Sequence, residues 1–283
     1  MKIKILVISL LLFSILNPLT AMALPFEFGG KLGLESFNWE ELDVNGQRTE
    51  KESGVRTVLS GFLHSKPEPE HMQLFIYGAE IKLYAGTTDY TDNNPANADA
   101  NYETDWSGLS IEGEVGLRVG SMPFAWDFVA RPGYDSWIRT VDGDMNESTR
   151  TVAAEEEQYQ ILTLGVGTGP AWRSGNWHGR VIAGVKSSSG LLNINADQSN
   201  VYDEDIEFDV KGKTTGFVRI SNNIRIMEKI SIKIDGYYDE YHFKRSDTKT
   251  VDTDSQQPAT VQVTIPERKQ RNYGIQAGVS MDF

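Results

Sequence analysis

The final stretch of the chain, Arg271 to Phe283, reads RNYGIQAGVSMDF and tightly restricts what the whole can become. Tyr273, Ile275, Ala277, Val279, Met281 and Phe283 fall on one side of an extended backbone. Asn272, Gly274, Gln276, Gly278, Ser280 and Asp282 fall on the other. The segment is a two-faced strand that ends on an aromatic ring. In a soluble sheet such an end tends to fray, whereas at the rim of a membrane barrel a terminal ring rests at the headgroup level.

The same period of two recurs along the chain. It predicts strands at Leu24 to Glu40, Val55 to Leu63, Phe75 to Tyr84, Leu109 to Val119, Phe124 to Arg139, around Leu162 to Val166, Trp177 to Lys186, Lys211 to Ile220 and Ile230 to Asp239. The pattern expects turns at His64 to Pro69, Gly120 to Pro123, Pro170 to Asn176 and around Asn222-Asn223. Polar connections are expected around Asn45 to Glu52, from about Thr87 to Asp105, and in two further acidic stretches. A last excursion runs from about Arg245 to Arg268, with an extended hairpin at Val261 to Ile265. Pro132 is the misfit in its strand, because proline lacks the ladder donor.

The final stretch resembles the C-terminal signature of bacterial outer-membrane β-barrel proteins, in which a terminal Phe after alternating apolar residues is read by the barrel-assembly machinery. The resemblance implies an all-β fold: a closed antiparallel up-and-down transmembrane β-barrel of about ten strands, with long outer loops and short periplasmic turns. It places the chain in the outer membrane of a Gram-negative-type bacterium, with outer-membrane lipid, lipopolysaccharide and the assembly machinery as partners. It names no ligand and no reaction.

At the other end, Lys2 and Lys4 precede the apolar run Ile5 to Leu16, and Ala21-Met22-Ala23 offers a cleavage site, so residues 1–23 read as a signal peptide. Residues 24–283 then form a single barrel domain, since composition shows no linker or shift. Mean hydropathy is -0.38, a value that suits a barrel because every second residue faces the lumen. No other run reaches the roughly 18 apolar residues of a membrane helix. With Cys 0, thiol chemistry, disulfides and a lipid-anchored cysteine are excluded, and a net charge of -13 argues against a nucleic-acid-binding face.

Lys31, Arg56, Lys82, Arg118, Arg131, Arg180, Lys211, Lys213, Arg219 and Lys233 share strand faces with Glu27, Glu35, Glu80, Glu112, Glu114, Asp127, Asp135, Asp235 and Asp239. Turned toward lipid, each Lys or Arg costs about 2 to 4 kcal/mol at mid-bilayer, so these faces are expected inward and braced by ion pairs. Glu112, Glu114, Arg118, Asp127, Arg131, Arg180, Lys233 and Asp235 are the predicted lumen-lining set. A barrel of this size is largely filled, which favours a structural or surface role or a narrow solute channel. The excess acid then belongs to the outer loops, at Asp99, Asp144, Glu147, Asp197 and Asp203 to Asp205 among others. No spacing there matches a calcium loop, and no metal, cofactor or catalytic residue is assigned.

Some ten-stranded outer-membrane barrels, the omptins, are surface proteases in which an Asp pair faces an Asp-His pair, and a hydrolase of that type is the alternative reading. The nearest pattern is Asp239-Glu240-Tyr241-His242, with Asp89, Asp92 or Asp105 opposite. It departs from the family in that alternation puts His242 on the lipid-facing side and the short Asp-x-His pattern is replaced by Glu240-x-His242. His64, His71 and His178 belong near periplasmic turns. Gly165 to Gly169 is not a phosphate loop, since Pro170 and no helix follows; glycine there suits close aromatic packing. Trp126, Trp137, Trp172 and Trp177 read as interfacial or turn residues, while Trp39 and Trp106 lie near loop bases.

Overall fold

The computed structural model describes residues 26–65, 75–92, 102–121, 123–142, 156–195, 205–252 and 260–283. The expected signal peptide, His71 and most of the acidic loop residues lie outside the described residues. The strands are β1 (Phe26–Leu42), β2 (Arg48–Ser65), β3 (Phe75–Asp92), β4 (Tyr102–Ser121), β5 (Phe124–Asp142), β6 (Glu156–Ser174) and β7 (Trp177–Ile194). They continue as β8 (Ile206–Lys211), β9 (Thr215–Arg225), β10 (Ile230–Phe243), β11 (Lys249–Asp252), β12 (Thr260–Val263) and β13 (Glu267–Asp282).

Each of β1 to β7 pairs antiparallel with its neighbour, and β13 returns to β1 from Glu27↔Asp282 to Leu42↔Glu267. β8 pairs with the far half of β7 and β9 with its near half, so the two act as one interrupted wall strand. The result is a closed ten-stranded barrel, with β11 and β12 as a separate hairpin. Closure is demanded by the solvent: inside hydrocarbon each unpaired backbone N–H or C=O costs several kcal/mol, and a ring has no edge. The final ring does not fray. Phe283 N–H donates to Phe26 O at 2.9 Å and its ring stacks on Phe26 with centroids 5.7 Å apart.

Neighbouring residues show how sharply the two faces differ: Lys31 is 3% exposed and Leu32 60%. Leu32, Leu83, Val115, Leu164, Val185 and Ile275 belong to an exposed apolar band that encircles the barrel. The short connections mark the periplasmic end. At the outer end the strands run on beyond the band, and the alternation changes sign. On β1, Leu32 and Leu34 face out, but Phe37 and Trp39 are fully buried inside. That reversal explains why Glu50 to Glu52, Thr87 to Asp92 and Asp105, expected in loops, lie in strands.

Other expectations are corrected. Pro170 sits inside β6, and the turn falls at Gly175, whose φ of 58° suits glycine. Pro132 and Pro170 each interrupt a ladder without shifting its register: Glu112↔Gly133 resumes at Val115↔Ala130, and Thr168↔Ala183 at Ala171↔Arg180. Asn222 and Asn223 pair within β9, and the chain turns after Arg225. Lys211 and Lys213 do not point into the lumen. The break at Gly212 changes the parity between β8 and β9, leaving Lys211 exposed and Lys213 paired with Glu267 at 2.9 Å on the outer wall. They escape the lipid penalty because this part of the wall lies beyond the band. In the connection above β1, Gln47 and Asn45 backbone N–H groups donate to Asp43 at 2.7 and 2.8 Å and hold its carboxyl below the usual carboxylate range.

Band height gives a test. Ile275→Arg is expected to lower folding stability in lipid vesicles by about 2 to 4 kcal/mol. Ser107→Arg, outward but beyond the band, is expected to change it by less than about 0.5 kcal/mol, read from denaturant titration of both variants.

Candidate functional site: the barrel interior

From the periplasmic end upward, the interior is filled in tiers. The lowest charged tier is a chain of ion pairs. Arg118 grips Asp127 through Nε and Nη2 at 2.7 and 2.9 Å, and Arg180 reaches both Asp127 at 2.8 Å and Glu114 at 2.6 Å. Arg131 is held by Glu112 and Glu114, and Arg219 joins Glu112 at 3.4 Å to Asp239 at 2.8 Å. On the other side, Lys31 sits 2.8 Å from both Glu80 and Asp235, and Lys233 pairs with Glu27. Glu112, Glu114, Arg118, Asp127, Arg131 and Arg180 take part in the first of these chains, and Asp235 and Lys233 pair separately with Lys31 and Glu27. Phe217 fits between these pairs because Gly165, Gly167 and Gly184 face its ring; a Cβ on Gly167 would come within 2.9 Å of it.

The middle tier mixes charge with aromatic rings. Arg56 Nε donates to Glu35 at 2.9 Å, with its guanidinium 4.2 Å from the Phe37 centroid and 4.4 Å from that of Tyr84. Tyr237 Oη donates to Glu35 and Tyr241 Oη to Asp135, both at 2.9 Å. Lys186 Nζ donates to Asp239 at 2.8 Å.

Above it lies an apolar core to which β1, β4, β5, β6, β7, β8 and β10 contribute, including Phe37, Trp39, Trp106, Trp137, Tyr159 and Phe208. Trp39 and Tyr159 meet with centroids 5.8 Å apart, edge to face. They belong to β1 and β6, which are diametrically opposite in the ring. Trp137, expected at the interface, is 2% exposed and stacks on Tyr159 at 5.1 Å. Trp126 and Trp177, by contrast, are exposed on the outer wall.

The outermost tier is ionic again. Arg268 contacts Glu41 at 2.6 Å and Glu157 at 2.7 Å, and Arg139 donates to Glu52 at 2.8 Å and Glu157 at 3.3 Å. Trp106 Nε1 completes Glu52 at 2.8 Å. The sequence pattern put Arg139 on the inward face of its strand but left Glu52, Glu157 and Arg268 in connections, although continuing the parity of β2 and β6 would have turned Glu52 and Glu157 inward.

His242 and Asp239 occupy opposite faces of β10. Asp239 is buried inside, whereas His242 Nε2 lies 2.6 Å from Glu267 on the outer wall beside Lys213. The two do not form a dyad. His64 and His178 line the periplasmic part of the interior, as their turn positions implied. Among the described residues no cluster of His, Asp and Glu is arranged to hold a metal ion.

No family model matches the sequence, and no curated protein matches it. Its fold is shared with solved barrels. The outer membrane protease OmpT from Escherichia coli superimposes with a TM-score of 0.58 over 92% of this chain and 97% of that one, at 11% identity. The translocator domain of the autotransporter NalP from Neisseria meningitidis gives 0.45 over 97% and 96%, at 9% identity. OprG from Pseudomonas aeruginosa gives 0.39 over 92% and 96%, also at 9%. The chain shares with OmpT the fold of a closed antiparallel barrel, here of ten strands.

The outer ionic tier is testable by removing one partner. Arg268→Met leaves Glu41 and Glu157 buried with too little positive charge, and is expected to cost about 3 to 5 kcal/mol of folding stability. Lys269→Met, on the outer wall one residue along, is expected to cost less than about 1 kcal/mol in the same unfolding titration.

Proposed function

We propose that this chain is an integral outer-membrane protein whose barrel is sealed, so that it serves the cell surface as a structural or surface-acting component instead of an open pore. The carrying observation is the Trp39–Tyr159 contact across the barrel's diameter, embedded in a continuous apolar core. Water that entered from the periplasmic side would meet that core, and indole and phenol rings offer no file of polar groups along which it could pass. The ionic tiers above and below support the same reading, because paired and hydrogen-bonded charges hold their rotamers and do not present an open, single-signed pathway.

The surroundings follow from the band. Outer-membrane lipid covers the apolar wall, lipopolysaccharide faces the outer strand ends, and the alternating final strand is the segment for the assembly machinery to recognise. OmpT is a protease, and its fold is shared. A hydrolase of that kind draws no support from Asp239 and His242, which sit on opposite sides of one strand. The narrow-channel alternative needs the aromatic tier to be displaced.

Planar-bilayer recording separates the readings. The folded full chain, checked for its compact barrel by gel mobility, is expected to give no steady open level. A reproducible conductance from that material would contradict sealing.

A further inference from the structure

Beneath the aromatic tier a cavity of ≈ 130 Å³ reaches the periplasmic end of the barrel. Its charged wall is almost completely paired: Arg118, Arg131, Arg180, Arg219 and Lys233 each contact a carboxylate, as described above. Two places break that pattern, and both line the cavity.

The first is Lys82, 8% exposed, whose ammonium lies 4.4 Å from the Tyr237 ring centroid. Among the described residues it makes no ion pair. The second is the Glu80 and Asp235 pair, which divide the single ammonium of Lys31 between them at 2.8 Å each. Asp235 is 8% exposed, and its Oδ1 accepts no hydrogen bond among the described residues. Asp235 lines the cavity while its other oxygen holds Lys31. The wall thus holds an ammonium with no carboxylate in direct contact among the described residues and, about one residue pair away, a carboxylate oxygen with no donor. Lys82 faces Tyr237, two positions along β10 from Asp235, a rise of about 7 Å.

A simple anion at Lys82 would gain one contact but meet Glu80, two residues away on the same face of β3. A simple cation at Asp235 would meet Lys31. A molecule carrying both charges satisfies both places and leaves the existing pairs intact. We propose that this cavity binds a small zwitterion, an amino acid or a short peptide, with its carboxylate on Lys82 and its ammonium against Asp235 and Glu80. The face of Tyr237 forms the apolar side of the site between them. The site lies on the periplasmic side of the aromatic core, so it is a binding pocket independent of whether the barrel conducts.

The test is calorimetric titration of the full chain in detergent micelles with glycine, glycylglycine, acetate and methylammonium at constant ionic strength. At least one zwitterion is expected to give saturable binding about tenfold or more tighter than either singly charged probe. A preference for glycylglycine over glycine assigns the site to peptides, and the reverse to free amino acids. Lys82→Met, which breaks no ion pair, is expected to weaken binding of the preferred zwitterion by about tenfold or more, and Asp235→Asn to do the same. The proposal is overturned by equal affinity for all four probes, by no heat from either zwitterion, or by a folded Lys82→Met protein that binds as tightly as the parent.

Discussion

Hydrocarbon will not solvate a peptide group, and the rest of this structure answers to that one fact. Pairing β1 with β13 removes the last free edge, and it joins residues at opposite ends of the chain, from Glu27↔Asp282 onward. Once the ring is closed, every side chain must choose between lipid and lumen, and a period of two makes the choice for it. Charges go in because they cannot go out. Inside, most of them pair, some with the adjacent strand and others, such as Arg180 with Glu114 and Arg268 with Glu157, across strands that are not neighbours in the wall.

The interior pairs are weak evidence of net stability, since desolvating two ions offsets much of their attraction. Their larger effect is on specificity. Arg219 bridges β4 and β10 from β9, and Arg268 on β13 reaches Glu157 on β6. A barrel closed with one strand out of register would turn that strand's inward groups to the outer wall, breaking such pairs and, within the band, placing charge against lipid. The charged lumen therefore selects the register that the backbone alone would leave less firmly fixed.

Much of this was legible in the amino-acid order, and the failures have a common physical origin. Within the band, lipid supplies a strong and constant rule, and the inward placement of Arg118, Asp127 and Arg131 followed from it. Beyond the band water is on the outside, so Phe37 and Trp39 can be buried while Asn38 and Glu40 face out, and where such a stretch is rich in acid, as at Glu50 to Glu52 and Thr87 to Asp92, a reading tuned to greasy exteriors sees only a loop. Trp137 shows the difficulty well. Its own parity, shared with Asp135 and Arg139, pointed inward, but the preference of indole rings for interfaces suggested otherwise. Lys211 and Lys213 failed for another reason, since the break at Gly212 changes the parity partway along one wall strand. The zwitterion pocket had no sequence signal at all: Lys82 looks like any other lumen lysine until the described residues are seen to put the Tyr237 ring, and no carboxylate, in direct contact with it.

The contact between Trp39 and Tyr159 has a mechanical meaning as well as a sealing one. A hollow cylinder yields most easily by flattening into an ellipse, a deformation that costs no hydrogen bonds because the staves merely hinge. A strut across the diameter opposes that mode directly. The region beyond the bilayer, lacking the lateral pressure of lipid to keep it round, is where the strut is placed, so the surface-exposed mouth is stiffened from within.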